Sequence, residues 1–184
     1  MKYKKFGAEQ RCFENKMPPV YTLLPRLRLF MFLAVIAVSC NVYGENNMTN
    51  AAIQEITYHF KDASVPPEYH RSYTITVTTD RVRIVVDSYG EILADKGYEI
   101  ISKQFDGIRN SLERNKIRNC TLGDDEGCSG GTIERISFSD GENEIFSGAV
   151  YHCGGKDTGN LCGDITSFAD DIKNLVPDLE KLLL

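Results

Sequence analysis

Three histidines and six cysteines are the side chains of this 184-residue sequence best suited to nucleophilic, acid–base or metal chemistry. Catalysis needs a nucleophile and a base held within reach of each other. His59 and His152 fall in strand-like runs, and His70 follows Pro66-Pro67-Glu68-Tyr69. Serines are frequent, but neither a Gly-x-Ser-x-Gly elbow nor a His-Glu-x-x-His pair occurs. Gly154-Gly155-Lys156-Asp157 fails as a phosphate loop. Position 150 is valine where glycine is required, and Asp157 stands where Ser or Thr would follow the lysine. Asp124-Asp125-Glu126-Gly127 gathers carboxylates without the spaced ligands of a calcium loop, and reads as a solvated acidic turn. Cys120, Cys128, Cys153 and Cys162 lack the tight Cys-x-x-Cys chelate of a zinc site, with only His152 nearby. The chain therefore reads as a binder rather than an enzyme, with no cofactor and no metal. The alternative is a small hydrolase using His70 or His152 with a nearby carboxylate.

The most distinctive binding candidate is Val65 to Arg71 (VPPEYHR). Pro-Pro-x-Tyr matches a ligand pattern for WW domains, but those belong to the eukaryotic cytosol. As structure, the segment is a rigid turn into the next strand. As function, Tyr69, His70 and Arg71 set an aromatic beside two cationic side chains, a surface for an acidic or carbohydrate partner.

Charge is split along the chain. Residues 1–40 hold seven Lys/Arg and two Asp/Glu, so the remainder carries 14 basic and 24 acidic side chains, a net of −10 with His neutral. A domain that acidic repels phosphate backbones, so nucleic acid is excluded as an expected partner.

Leu29 to Val38 (LFMFLAVIAV) is an uncharged apolar run preceded by Arg26 and Arg28. As a helix it would span about 15 Å, half the hydrocarbon core, which suits a signal h-region better than a membrane span. Met17 is a candidate start, since the stretch before it is long for a signal. The run closes on Ala37-Val38-Ser39-Cys40. These residues resemble the lipobox of bacterial lipoprotein precursors, in which small or aliphatic residues precede a cysteine. Ala37 departs from the family's usual leucine. The resemblance covers residues 17–40 alone and implies lipidation of Cys40, cleavage before it, and anchoring at the cell envelope. Asn41 in place of aspartate points to the outer membrane in the enterobacterial sorting pattern. Secretion without lipid, or a periplasmic protein, is the alternative.

The chain thus divides into a signal (1–39), a lipidated cysteine with a polar tether (40–52), and one folded domain (53–184). In an oxidising compartment four cysteines point to two disulfides. If Asp140-Gly141 are the two loop residues of a hairpin, Cys128 and Cys153 fall opposite each other in a non-hydrogen-bonded pair. Cys120 and Cys162 then bridge the flanking loops. The alternative pairing is local, Cys120 with Cys128 and Cys153 with Cys162.

Alternating apolar residues predict strands over Ile53–Phe60, Ser72–Thr78 and Arg81–Asp87, then Thr132–Phe138 and Glu144–His152. Ile92-Leu93 could extend the sheet. Tyr98, Ile101, Phe105, Ile108 and Leu112 recur at helical spacing. A final helix starts at Asp164 as N-cap and is kinked or restarted by Pro177. The order βββ-α-ββ-α predicts an α+β two-layer domain, an antiparallel sheet with helices on one face.

Overall fold

The structure, a computed structural model, describes residues 52–123 and 130–184. The signal run, Cys40, most of the tether, the turn Asp124–Gly127 and Cys128 lie outside them.

In chain order the elements are β1 (Glu55–Lys61), β2 (Ser72–Thr78), β3 (Arg81–Ser88), β4 (Glu91–Glu99), α1 (Ser102–Arg114), β5 (Arg118–Asn119), β6 (Thr132–Ser139), β7 (Glu144–His152), β8 (Thr158–Gly159), β9 (Leu161–Cys162), α2 (Ile165–Lys173) and α3 (Leu179–Leu182). Seven strands form one antiparallel sheet in the order β4-β3-β2-β1-β6-β7-β8, and β5 pairs with β9 separately. The α+β class with an antiparallel sheet is as expected, but the βββ-α-ββ-α order is corrected. A fourth long strand precedes α1, and three short strands lie within the segments read as loops. Tyr98 belongs to β4 opposite Val82, not to the helix, which starts at Ser102.

One face of the sheet is apolar because the alternating side chains fall into register across strands. Ile56 lies opposite both Val77 and Phe138, Val77 opposite Val82, and Phe138 opposite Phe146. The next row sets Ile84, Ile75, Tyr58 and Ile136 side by side. All of these are buried. Each such aliphatic side chain contributes about 1.5–3 kcal/mol when fully removed from water. The helices cover this face: Phe105, Ile108 and Leu112 of α1, with Phe168, Ala169 and Ile172 of α2, join the same core. Asp164 caps α2 by accepting from the Ser167 N–H at 3.1 Å, and the chain restarts as α3 after Pro177.

The opposite face carries Thr57, Thr74, Thr76, Arg83, Arg135, Ser137 and Ser147, and among the described residues no helix packs on it.

The β6–β7 hairpin corrects a second expectation. Ser139 pairs with Glu144, so the loop is Asp140–Asn143 rather than Asp140-Gly141 alone. The cause is the Asp140 side chain: its Oδ1 accepts from the Glu142 and Asn143 N–H groups at 3.0 and 2.8 Å, an Asx turn that holds a longer loop. A register shift beside Phe138 follows. Thr132 then lies opposite His152, which would set Gly131, not Cys128, across from Cys153.

Candidate functional site

The cysteine-bearing loops are tied at the base of the sheet edge. Arg118 pairs with Cys162 and Asn119 with Leu161, and the chain is closed by a Cys120–Cys162 disulfide with Cα atoms 5.8 Å apart. The local pairing is thereby excluded. Cys153 is disulfide-bonded as well.

The three residues of the Pro-Pro turn do not share one surface. Tyr69 is 71 % exposed, whereas His70 is 2 % exposed beneath the Tyr89 ring. His70 Nε2 sits 3.3 Å from Ser72 Oγ, and its Nδ1 has no hydrogen-bond partner. Ser72 is itself buried and accepts from the Asp62 N–H at 3.0 Å, so this histidine–serine contact is closed to substrate. Arg71 donates to the carbonyls of His70 and Leu184 at 2.8 and 3.0 Å.

His152 does meet carboxylates. Its Nδ1 is 3.0 Å from Asp157 Oδ1 and its Nε2 3.2 Å from Glu134 Oε1. Glu134 Oε2 accepts from the buried Tyr58 hydroxyl at 2.7 Å. Burial first, then the neighbouring Tyr73 and Glu134, push the Tyr58 phenol far above its ordinary range. Lys173 of α2 lies 5.6 Å from the centre of the Tyr58 ring. The set forms a chain from core to surface, Tyr58–Glu134–His152–Asp157. Glu134 interrupts the apolar stripe of β6, a visible departure from alternation that marks this chain in the sequence. A general base needs one ring nitrogen turned to substrate. Both nitrogens of His152 are engaged by carboxylates, and among the described residues no hydroxyl or thiol hydrogen-bonds to it. The arrangement ties the end of β7 to β6 and the β8 loop rather than presenting a nucleophile. No cluster of three or more His, Cys, Asp or Glu among the described residues is placed to hold a metal ion.

A different site lies on the face opposite the helices. Ser147, Ala149 and Tyr151 alternate along β7 and, with Arg135 of β6, Gly148, Gly159, Asn160 and Gly123, line a shallow groove of about 560 Å³. Arg135 stands opposite Ala149 on one side and His59 on the other, with Lys61 opposite its strand neighbour Ile133. Arg135 makes no ion pair or hydrogen bond among the described residues. Burial first, then the Arg135 and Lys61 charges, lower the His59 imidazole below its ordinary value, against the pull of Asp87. Lys156 reaches the other rim: a Cβ at Gly123 would lie 3.5 Å from its Nζ. Asn160 is fixed by the Ala149 N–H, which donates to its Oδ1 at 2.8 Å. Gly159 has φ +119° and a backbone so close to the Ala149 carbonyl that a Cβ would sit 2.3 Å from that oxygen. No side chain fits there, and the groove wall stays thin.

No family model, curated protein or solved structure matches this chain. The sequence missed this groove because neither Arg135 nor Tyr151 belongs to any motif. Their adjacency depends on the hairpin register, and only the period-two polar positions of β6 and β7 hinted at it.

Proposed function

We propose that the chain is an envelope-anchored lipoprotein whose folded domain is a non-catalytic binding module, with the β6–β8 groove as its ligand surface. The observation carrying this reading is the composition of the groove. It is open, polar and lined by a guanidinium, a phenol, a serine hydroxyl and a carboxamide, with neither histidine nor carboxylate among its described walls. Such a surface is suited to orienting a ligand, and its described walls hold no nucleophile paired with a base. The Cys120–Cys162 bridge holds the loops along its rim, and a Cys128–Cys153 bridge would complete the brace. The exposed Tyr69 on the Pro66–Arg71 turn is a second contact point. Anchoring rests on the lipobox-like residues ending at Cys40, and an outer-membrane position on Asn41. The partners are the membrane, through acyl chains, and a protein or carbohydrate ligand.

A hydrolase at His152 is the second reading, favoured by its contacts with Glu134 and Asp157.

The test uses isotope-labelled protein extracted from membranes. Its intact mass should equal residues 40–184 plus acyl groups, lowered by the hydrogens lost to two disulfides. Envelope extract should then shift the amides of Ser147, Ala149 and Tyr151 reversibly, and leave the extract chemically unchanged. Products that vanish with His152→Ala would replace binding by hydrolysis, and an uncut chain in the soluble fraction would remove the anchor.

A further inference from the structure

The described walls of the groove are cationic, on a chain whose residues beyond Cys40 carry a net charge of −10. Arg135 lies in its wall, Lys61 flanks Arg135 on the β1 side, and Lys156 approaches the opposite rim at Gly123. None of the three is engaged by a carboxylate among the described residues. On the same face Arg83 shows the contrary pattern, held by Asp95 through two bonds of 2.9 and 2.7 Å. An arginine left without an acid, in a concave site of an acidic protein, is a seat for an anion.

The other walls limit what carries that anion. A phosphate monoester usually draws a helix N-terminus or a nest of backbone N–H groups. Among the described residues none lines this groove, and the Ala149 N–H is already given to Asn160. A single planar guanidinium matches a carboxylate, which it grips through two parallel bonds. Ser147, Ala149 and Tyr151 extend the groove along β7 by about 13 Å, the length of an extended oligomer rather than of a lone ion. The small Ala149 leaves its centre clear opposite Arg135. Ser147 Oγ, Tyr151 Oη and Asn160 Nδ2 supply spaced donors and acceptors suited to ring hydroxyls, and the Tyr151 ring offers a flat apolar face.

Resting on the reading of this groove as a ligand site, we propose that it binds an acidic saccharide, with the carboxylate on Arg135, Lys61 and Lys156 as flanking charges, and a sugar ring against Tyr151. An anionic membrane surface or a nucleic acid fits less well: both call for a flat or extended basic surface, whereas these cations border a recess.

The experiment is calorimetric titration of the whole mature protein in detergent with trigalacturonate and with sialyllactose, each beside its methyl ester. Phosphatidylglycerol vesicles and a single-stranded oligonucleotide serve as competitors. At least one acid should bind, and its ester should bind about tenfold more weakly or worse, as expected for losing charge-assisted bonds. Arg135→Ala should reproduce that loss. Arg135→Lys should retain part of the affinity, since it keeps the charge without the fork. Arg83→Ala should bind like the parent. Unchanged melting temperatures separate these effects from misfolding. Lack of binding by both acids, equal binding of acid and ester, indifference to Arg135→Ala, or preferential Arg135-dependent binding of vesicles or oligonucleotide would each overturn the proposal. Equal binding of acid and ester at the same groove amides would remove only the anionic ligand and leave the binding module. Cleavage of either saccharide would remove both.

Discussion

The Tyr89 ring lies on the His70 imidazole, with centroids 3.9 Å apart and planes 24° from parallel, and its hydroxyl donates to the Val65 carbonyl at 2.6 Å. Tyr89 and Gly90 form the two-residue β3–β4 turn, with φ of +52° and +92°. A tyrosine in the left-handed region costs about 1–2 kcal/mol. The stack and the hydroxyl bond offset this by holding the Pro66–Tyr69 turn, which Ser88 Oγ also holds through the Pro67 carbonyl at 2.8 Å.

Tyr89→Phe should therefore keep the stack, lose one bond, and destabilise by about 0.5–1 kcal/mol. Tyr89→Ala keeps the backbone strain and loses both contacts, and should cost about 1–3 kcal/mol. Urea unfolding measures the difference. Equal midpoints for the parent and Tyr89→Ala would show that the turn is held without the ring.

The joint between α1 and α2 turns on Ser111, which is fully buried. It donates to Asp171, which also receives Arg114 at 2.7 Å, and accepts from Asn115 Nδ2 at 2.8 Å. Ser111→Ala leaves the buried Asn115 amide short of a partner and should cost about 1–3 kcal/mol. Equilibrium unfolding checks this. Loss of the α1 amide protection ahead of the sheet would locate the effect.

Cys120 and Cys162 are 42 residues apart in sequence, so their bridge closes a long loop in the unfolded chain. Replacing both by alanine should lower stability by about 3–4 kcal/mol, on the chain-entropy account of cross-linking. The same variant should loosen the β5–β9 pair and broaden the amide signals of Asn160 and Leu161. Denaturation under non-reducing conditions reads the first effect, and amide spectra the second.

Tyr58 and Tyr73 set an alkaline limit. Burial pushes the Tyr73 phenol up to about 12 from 10.0, with Glu134 and Asp170 adding to the rise and the Tyr58 hydrogen bond opposing it. Tyr58 shifts further in the same direction. Between the unfolded and folded values the native state holds protons that the unfolded chain has released. The stability they contribute is complete below pH 10 and is lost as pH rises towards 12 and beyond. Tyr73→Phe should flatten that slope. Spectrophotometric titration of the phenols beside unfolding at each pH tests it, and a stability independent of pH in this window would count against the assignment.

Strands that are half buried were legible, because one face of each must be apolar. Ile56 and Tyr58, Tyr73 to Val77, and Val82 to Val86 alternate as they pack. β4 was legible only as a possible extension at Ile92-Leu93, since an edge strand with those two residues exposed carries no such constraint. Tyr98 joined the helical spacing of Ile101 and Phe105 by coincidence of interval. The hairpin count failed because the Asp140 side chain, rather than the Asp-Gly pair, sets the loop. His152 was recognised as an acid–base candidate from its type, but its partners were hidden. Glu134 reaches His152 only across the β6–β7 register, and Asp157 only through the turn of the chain between β7 and β8. The groove was illegible for the same reason.

β1 is the middle strand of the sheet, with three strands on either side. It is bonded along its length to β2 and to β6, and Gln54 extends the second ladder with a 2.8 Å bond to the Ser139 carbonyl. Any tension arriving through the residues before Ile53 therefore enters at the centre of the domain. Pulled along the strand axis, β1 can leave only by shearing two rows of bonds at once, whereas an outermost strand would peel off one bond at a time. A body leashed at that point would resist mechanical extraction best where its leash meets it.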